Sequence, residues 1–172
     1  MKPEKRKARP LFKALVAGVL AAAMIWSSAS AVLAASSAAF KLEEATIADV
    51  HRAMEAGELT CRSLVEQYLR QIEAYDKQGP AINAIIEINR YALSIADALD
   101  RKFAKGGFTG PMHCVPVIVK DNYNTMDMPT TGGSLSLKGF MPYKDAHVVK
   151  KLRDAGAVIL AKSNLSEFAN GT

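Results

Sequence analysis

The chain has 172 residues, about one domain's worth. Apolar residues make up 49% and charged residues 23%, which excludes wholesale disorder and collagen-like repeats. The net charge of +5 sits at one end: residues 1–34 hold six of the 22 basic and one of the 17 acidic residues, leaving 16 of each in the rest. A body of zero net charge offers no general attraction to phosphate backbones, which argues against nucleic acid as a partner. Two cysteines, Cys61 and Cys114, are too few for a disulfide scaffold, and neither has a CxxC partner for zinc. The three histidines, His51, His113 and His147, form no HxxxH or HExxH spacing, so no metal site is expected.

Residues 1–34 have the layout of a secretory signal peptide: a basic stretch to Lys13, an apolar run from Ala14 to Trp26, then small residues. Val32-Leu33-Ala34 suits a signal peptidase, with Ala29-Ser30-Ala31 as the alternative. The apolar run is shorter than the roughly 20 residues of a spanning helix, so membrane contact is expected only during export or if the segment stays uncleaved. The expectation is an exported protein, periplasmic or secreted. Residues 35–45 read as a linker. In an oxidising space Cys61 and Cys114 could pair, but two buried free thiols are the plainer expectation, because sequence cannot set their distance.

Thr46 is placed to cap a first helix, with Ile47, Val50 and Met54 on one face and Gly57 as its stop. Thr60 caps a second, whose stripe is Leu64, Val65, Tyr68, Leu69 and Ile72 and which ends at Gly79-Pro80. Residues 84–88 are short, branched and apolar, as a strand is. A third helix runs from about Arg90 to Lys105, with Leu93, Ala96, Leu99 and Phe103 inward. The near-continuous apolar runs at 115–120 and 157–161 read as strands buried on both faces. Asp145 is expected to cap a fourth helix between them, and Ser163 or Asn164 to open a helical turn at 165–168. Strand, helix and strand with short links give an α/β layout with these two strands parallel.

Lys120 closes the first of those runs, at the carboxyl end where open α/β sheets bind ligands. An amine held dry there favours its neutral form and can take a proton from a hydroxyl, so it can serve as base for a serine nucleophile. On local pattern alone, a lysine at the wet end of its strand, paired with Asp121, is the plainer expectation. The blocks around it decide between the two. Residues 110–122 (Gly-Pro-Met-His-Cys-Val-Pro-Val-Ile-Val-Lys-Asp-Asn), 128–134 (Met-Pro-Thr-Thr-Gly-Gly-Ser), Lys144-Asp145-Ala146 and 152–168 resemble, in order and spacing, the amidase signature family. The resemblance covers residues 46–172. It implies the N-terminal part of an α/β/α amidase-type domain with a mixed sheet, incomplete in this chain. It also implies hydrolysis of a carboxylic amide by a Ser–cis-Ser–Lys triad without a cofactor, with Lys120 as the base and a small-molecule or peptide amide as substrate.

The chain departs from that pattern in one respect. The family's serines lie in a Gly-Gly-Ser-Ser-Gly type of loop, and none of Ser134, Ser136, Ser163 and Ser166 sits in such a loop. Neither triad serine is therefore assigned, and the 172 residues alone are expected to be inactive. Ser134, Asn164 and Ser166 are candidate substrate-side residues, with loop building and helix capping as the competing roles. His113 could approach the site, although packing is the simpler role. Two other readings stay open. One is a non-catalytic binding or scaffold segment. The other is the amidase-type A component of a tRNA-dependent amidotransferase, which the export-like N-terminus opposes.

Overall fold

A computed structural model describes residues 40–170. The signal-peptide reading and the first part of the linker, residues 35–39, lie outside the described residues. Thr46 caps α1 (Ile47–Glu55) in a reciprocal box: its hydroxyl accepts from the Asp49 amide and the Asp49 carboxylate accepts from the Thr46 amide. The Thr46 hydroxyl also donates to the Asp49 carboxylate at 2.6 Å, and this bond, with those from the Thr46 amide and Arg52, lowers the Asp49 carboxyl to about 2. Thr60 and Ser63 repeat the device at α2 (Cys61–Gln71). Asp100, on α3 (Ala92–Gly106), accepts the Cys61 and Arg62 amides at 2.7 and 3.0 Å, placing an anion where the helix dipole favours one. Along the expected apolar faces Val50, Met54, Leu64, Val65, Ile72, Ala96 and Leu99 are buried and Tyr68, Leu69, Leu93 and Phe103 are half-buried against them, whereas Ile47, the first residue of α1, is exposed.

The sheet has the order β1-β3-β2. β3 (Val158–Ser163) is central, antiparallel to β1 (Ile85–Ile88) and parallel to β2 (Pro116–Lys120). The crossover between the parallel strands carries α4 (His147–Asp154). One core packs α1, α2 and α3 against Val158, Leu160 and Ala161; a smaller one holds Val119, Met128, Val149 and Ile159. The fold is thus α/β, with a mixed sheet between two sets of cover.

One register shift matters for the site. β2 and β3 slip between Val117 and Ile118, so that Val117 pairs with Ile159, Ile118 with Ala161 and Val119 with Lys162. Leu160 and Ala161 therefore both serve the larger core, and Lys162 returns to the face shared by Ile159 and Val119. A bulge of this kind re-aims a side chain that strict alternation would send the other way.

Four expectations need correction. β3 is buried along its apolar length, but β2 is not: as an edge strand it leaves Ile118 44% exposed. Asp145 does not cap α4. Ala146 holds that position, and Asp145 instead accepts the Met126 amide and pairs with Arg153 at 3.0 Å. The turn after β3 is a 3-10 turn at Glu167–Ala169 that starts behind Ser166. Cys61 and Cys114 are not free thiols: their Cα atoms lie 5.2 Å apart and the sulfurs form a disulfide. The long-range packing of the α2 start against the approach to β2 brings them together, and no local pattern encodes that. With both sulfurs joined and the Asp100 carboxylate bound to two amides, this cluster has no donor set left for an ion.

Candidate active site

Lys120, Ser134, Asn164 and Ser166 all lie at the carboxyl ends of the parallel strands or in the loops that leave them. Lys120 is the last residue of β2 and pairs across the ladder with Ser163. Alternation puts it on the side of Ile118, opposite Val117 and Val119. Its side chain is exposed, and its ammonium makes no hydrogen bond or ion pair with another described residue. The dry strand end expected for it is therefore not formed by residues 40–170. Asp121 does not pair with it either.

Asp121 turns to the other face, where it meets Lys162. The two are 1% and 0% exposed and stand 3.0 Å apart. The Lys162 ammonium donates also to the Thr130 hydroxyl at 2.8 Å and the Pro129 carbonyl at 3.1 Å, with the Thr125 hydroxyl at 3.4 Å. Burial pulls Lys162 below lysine's ordinary value, and the hydrogen bond and charge of Asp121 oppose that pull. Three close acceptors for three N–H groups suit an ammonium, which has no lone pair with which to take a proton.

The second oxygen of Asp121 accepts the Thr131 amide at 2.9 Å and its hydroxyl at 2.5 Å. The Asp121 carbonyl accepts the Gly132 amide at 3.0 Å. The Gly133 amide in turn donates to the Thr131 hydroxyl at 3.1 Å. Gly132 and Gly133 both have positive φ, +59° and +74°, and a Cβ on Gly133 would stand 3.0 Å from the Leu165 carbonyl oxygen, so the loop needs glycine there. Ser134 is buried beside it; its hydroxyl donates to Glu167 at 2.7 Å and lies 2.9 Å from the Ser136 hydroxyl. The loop at 132–134 thus abuts the segment at 165–167, bringing Ser134 and the chain around Ser166 together. Asn164 is exposed and its side-chain oxygen accepts the Leu165 amide, a local turn bond. Ser166 is exposed and makes no capping bond.

His113 lies at the far, amino end of β2 and packs rather than approaching the site. It is fully buried against Phe103 and Phe108, with Nδ1 2.9 Å from the Thr109 hydroxyl. Lys162, Thr131 and Glu167 are the polar residues the sequence reading missed. The apolar run stops at Ala161, so Lys162 reads as the wet end of its strand. The one available signal was Asp121, an acid at the end of the neighbouring apolar run.

Comparison with known proteins identifies the family. The family model for Amidase matches residues 63–172. A protein of Arabidopsis thaliana described as a probable amidase is 43% identical over 155 residues, covering 88% of this chain and 30% of its own length. The A component of the glutamyl-tRNA(Gln) amidotransferase of Halorhodospira halophila is 38% identical over 132 residues, covering 76% of this chain and 26% of its own. Among solved structures, the native peptide amidase of Stenotrophomonas maltophilia superposes with a TM-score of 0.73 at 47% identity, over 76% of this chain and 27% of that one. The chain belongs to the amidase family. It spans about a quarter to a third of the length of these relatives.

Proposed function

We propose that this chain is the lysine-bearing N-terminal part of an exported amidase that hydrolyses a linear carboxylic amide, with Lys120 as the base of a Ser–cis-Ser–Lys relay. A serine hydroxyl attacks the amide carbonyl while its proton passes through a second serine to the Lys120 amine. Collapse of the tetrahedral adduct breaks the C–N bond, and the relayed proton leaves with the amine. Water then splits the acyl-enzyme to release a carboxylic acid. Both serines belong to a Gly-Gly-Ser-Ser-Gly type of loop that these 172 residues do not contain. Ser134, Asn164 and Ser166, at the same strand ends, are proposed to border the substrate.

The observation that carries this reading is the position of Lys120: the last residue of β2, at the carboxyl end of the parallel pair, within the segment that matches the family model. Export is supported by the N-terminal layout and by the Cys61–Cys114 disulfide, a bond that persists in oxidising compartments. Among the described residues, no helix is long and apolar enough to cross a membrane. The likeness to the A component of an amidotransferase favours a second reading, in which ammonia freed from glutamine is passed on to an aminoacyl-tRNA.

The test uses a full-length protein carrying this segment. Ammonia release from small and peptide amides, with glutamine and a charged tRNA as the competing pair, is the expected assay. The amidase reading predicts turnover of an amide without tRNA, and none from residues 1–172 alone. Turnover confined to glutamine in the presence of charged tRNA would establish the second reading.

A further inference from the structure

Lys162 is a cation with no exposure whose charge the proposed chemistry does not use, and a buried ion pair is weak evidence for a stability role. Its contacts converge on one object, the loop at 129–134. Lys162 itself binds the Pro129 carbonyl and the Thr130 hydroxyl. Its partner Asp121 binds the Thr131 amide and hydroxyl through the carboxylate and the Gly132 amide through the main chain. Asp121 directly follows Lys120, so its bonds tie the loop to the strand end that presents Lys120, while those of Lys162 tie it to the neighbouring end of β3. The register slip between Val117 and Ile118 is what turns Lys162 toward this loop.

We infer that Lys162, acting through Asp121 and Thr131, is a positioning residue that fixes the loop at 129–134 against the end of β2 and so sets where Lys120 stands in the reaction. The inference rests on the reading of Lys120 as base. Lys162 is sealed from solvent; it holds one oxygen of Asp121 and so orients the other toward the amide and hydroxyl of Thr131. It also removes from Lys120 the adjacent carboxylate that would otherwise be its natural counter-ion, since both oxygens of Asp121 are engaged on the opposite face. A neutral base needs that freedom from an anionic partner.

The experiment is a kinetic comparison in the full-length protein, with kcat expressed per active site titrated by a serine-directed covalent inhibitor, so that loss of folded enzyme does not enter. Thr131→Val removes the hydroxyl link while keeping the volume, and Thr131→Ser keeps the hydroxyl. Thr131→Val is expected to lower kcat about tenfold with KM little changed, and Thr131→Ser to restore it. Lys162→Met with Asp121→Asn is expected to lower kcat at least as much, and adding Thr131→Val to that pair to lower it no further, because the three act as one unit. Unchanged kcat per titrated site in Thr131→Val, in an enzyme that Lys120→Ala inactivates, would overturn this inference alone. Undiminished turnover in Lys120→Ala would overturn the reading beneath it, and this inference with it.

Discussion

At the scale of single residues, two lysines at neighbouring strand ends divide between charge and exposure. Lys162 is sealed in and fully hydrogen-bonded; Lys120 is exposed and unpaired among the described residues. Lys162→Met leaves the Asp121 carboxylate buried without its cation, and is expected to destabilise the full-length protein by about 3–5 kcal/mol in urea unfolding. Pairing it with Asp121→Asn should recover a large part of that loss. His113 supplies a pH dependence. Burial lowers its pKa, with the nearby His51 and Lys102 acting in the same direction and Asp100 opposing. The unfolded ring takes a proton near 6.5 and the buried ring only at lower pH, so between those values the unfolded chain binds more protons. Stability should therefore fall as pH drops below about 6.5, and urea midpoints between pH 5 and 7.5 in wild type and His113→Gln should show the slope only in wild type. The candidate site was legible at Lys120, which closes an apolar run and sits inside linked family blocks. It was not legible at Lys162, because a bulge and a covering loop, neither of them encoded in local hydropathy, decide that this side chain is buried.

At the scale of elements, the helix starts could be read where a side chain meets its own backbone. Thr46 with Asp49 and Thr60 with Ser63 are contacts three residues apart, and both form. Thr46→Ala should cost about 1 kcal/mol by removing that cap. Asp145 looked like the same signal, but it is taken by Met126, distant in sequence, and by Arg153 in the last turn of α4. The disulfide has the same character: 53 residues separate Cys61 from Cys114. Replacing both cysteines by serine is expected to cost about 2–4 kcal/mol, read as a lower urea midpoint that reductant no longer changes. Gly156, with φ +95°, turns the chain from α4 into β3 so close to His113 that a Cβ would stand 2.9 Å from the His113 Cα. Gly156→Ala should lower the same midpoint.

At the scale of the whole molecule, the mixed sheet is open on the β2 side, and the loops at the strand ends leave Leu135 88%, Tyr143 85% and Phe168 62% exposed. Large apolar groups left in water beside an edge strand favour association. Residues 35–172 expressed alone are expected to self-associate in light scattering, whereas the longer protein should not. The amino-acid pattern showed which strands are apolar, but not which one lies at the edge, because strand order is set by the crossover through α4 and the antiparallel return of β1. The account as a whole rests on Lys120 receiving the nucleophile's proton. Its most direct test is ammonia release from a primary amide by the full-length protein and its Lys120→Ala variant at equal folded concentration. A fall in kcat of about 10²–10⁴-fold, the range of a lost general base, is the predicted result. Turnover within a factor of two of wild type would contradict it.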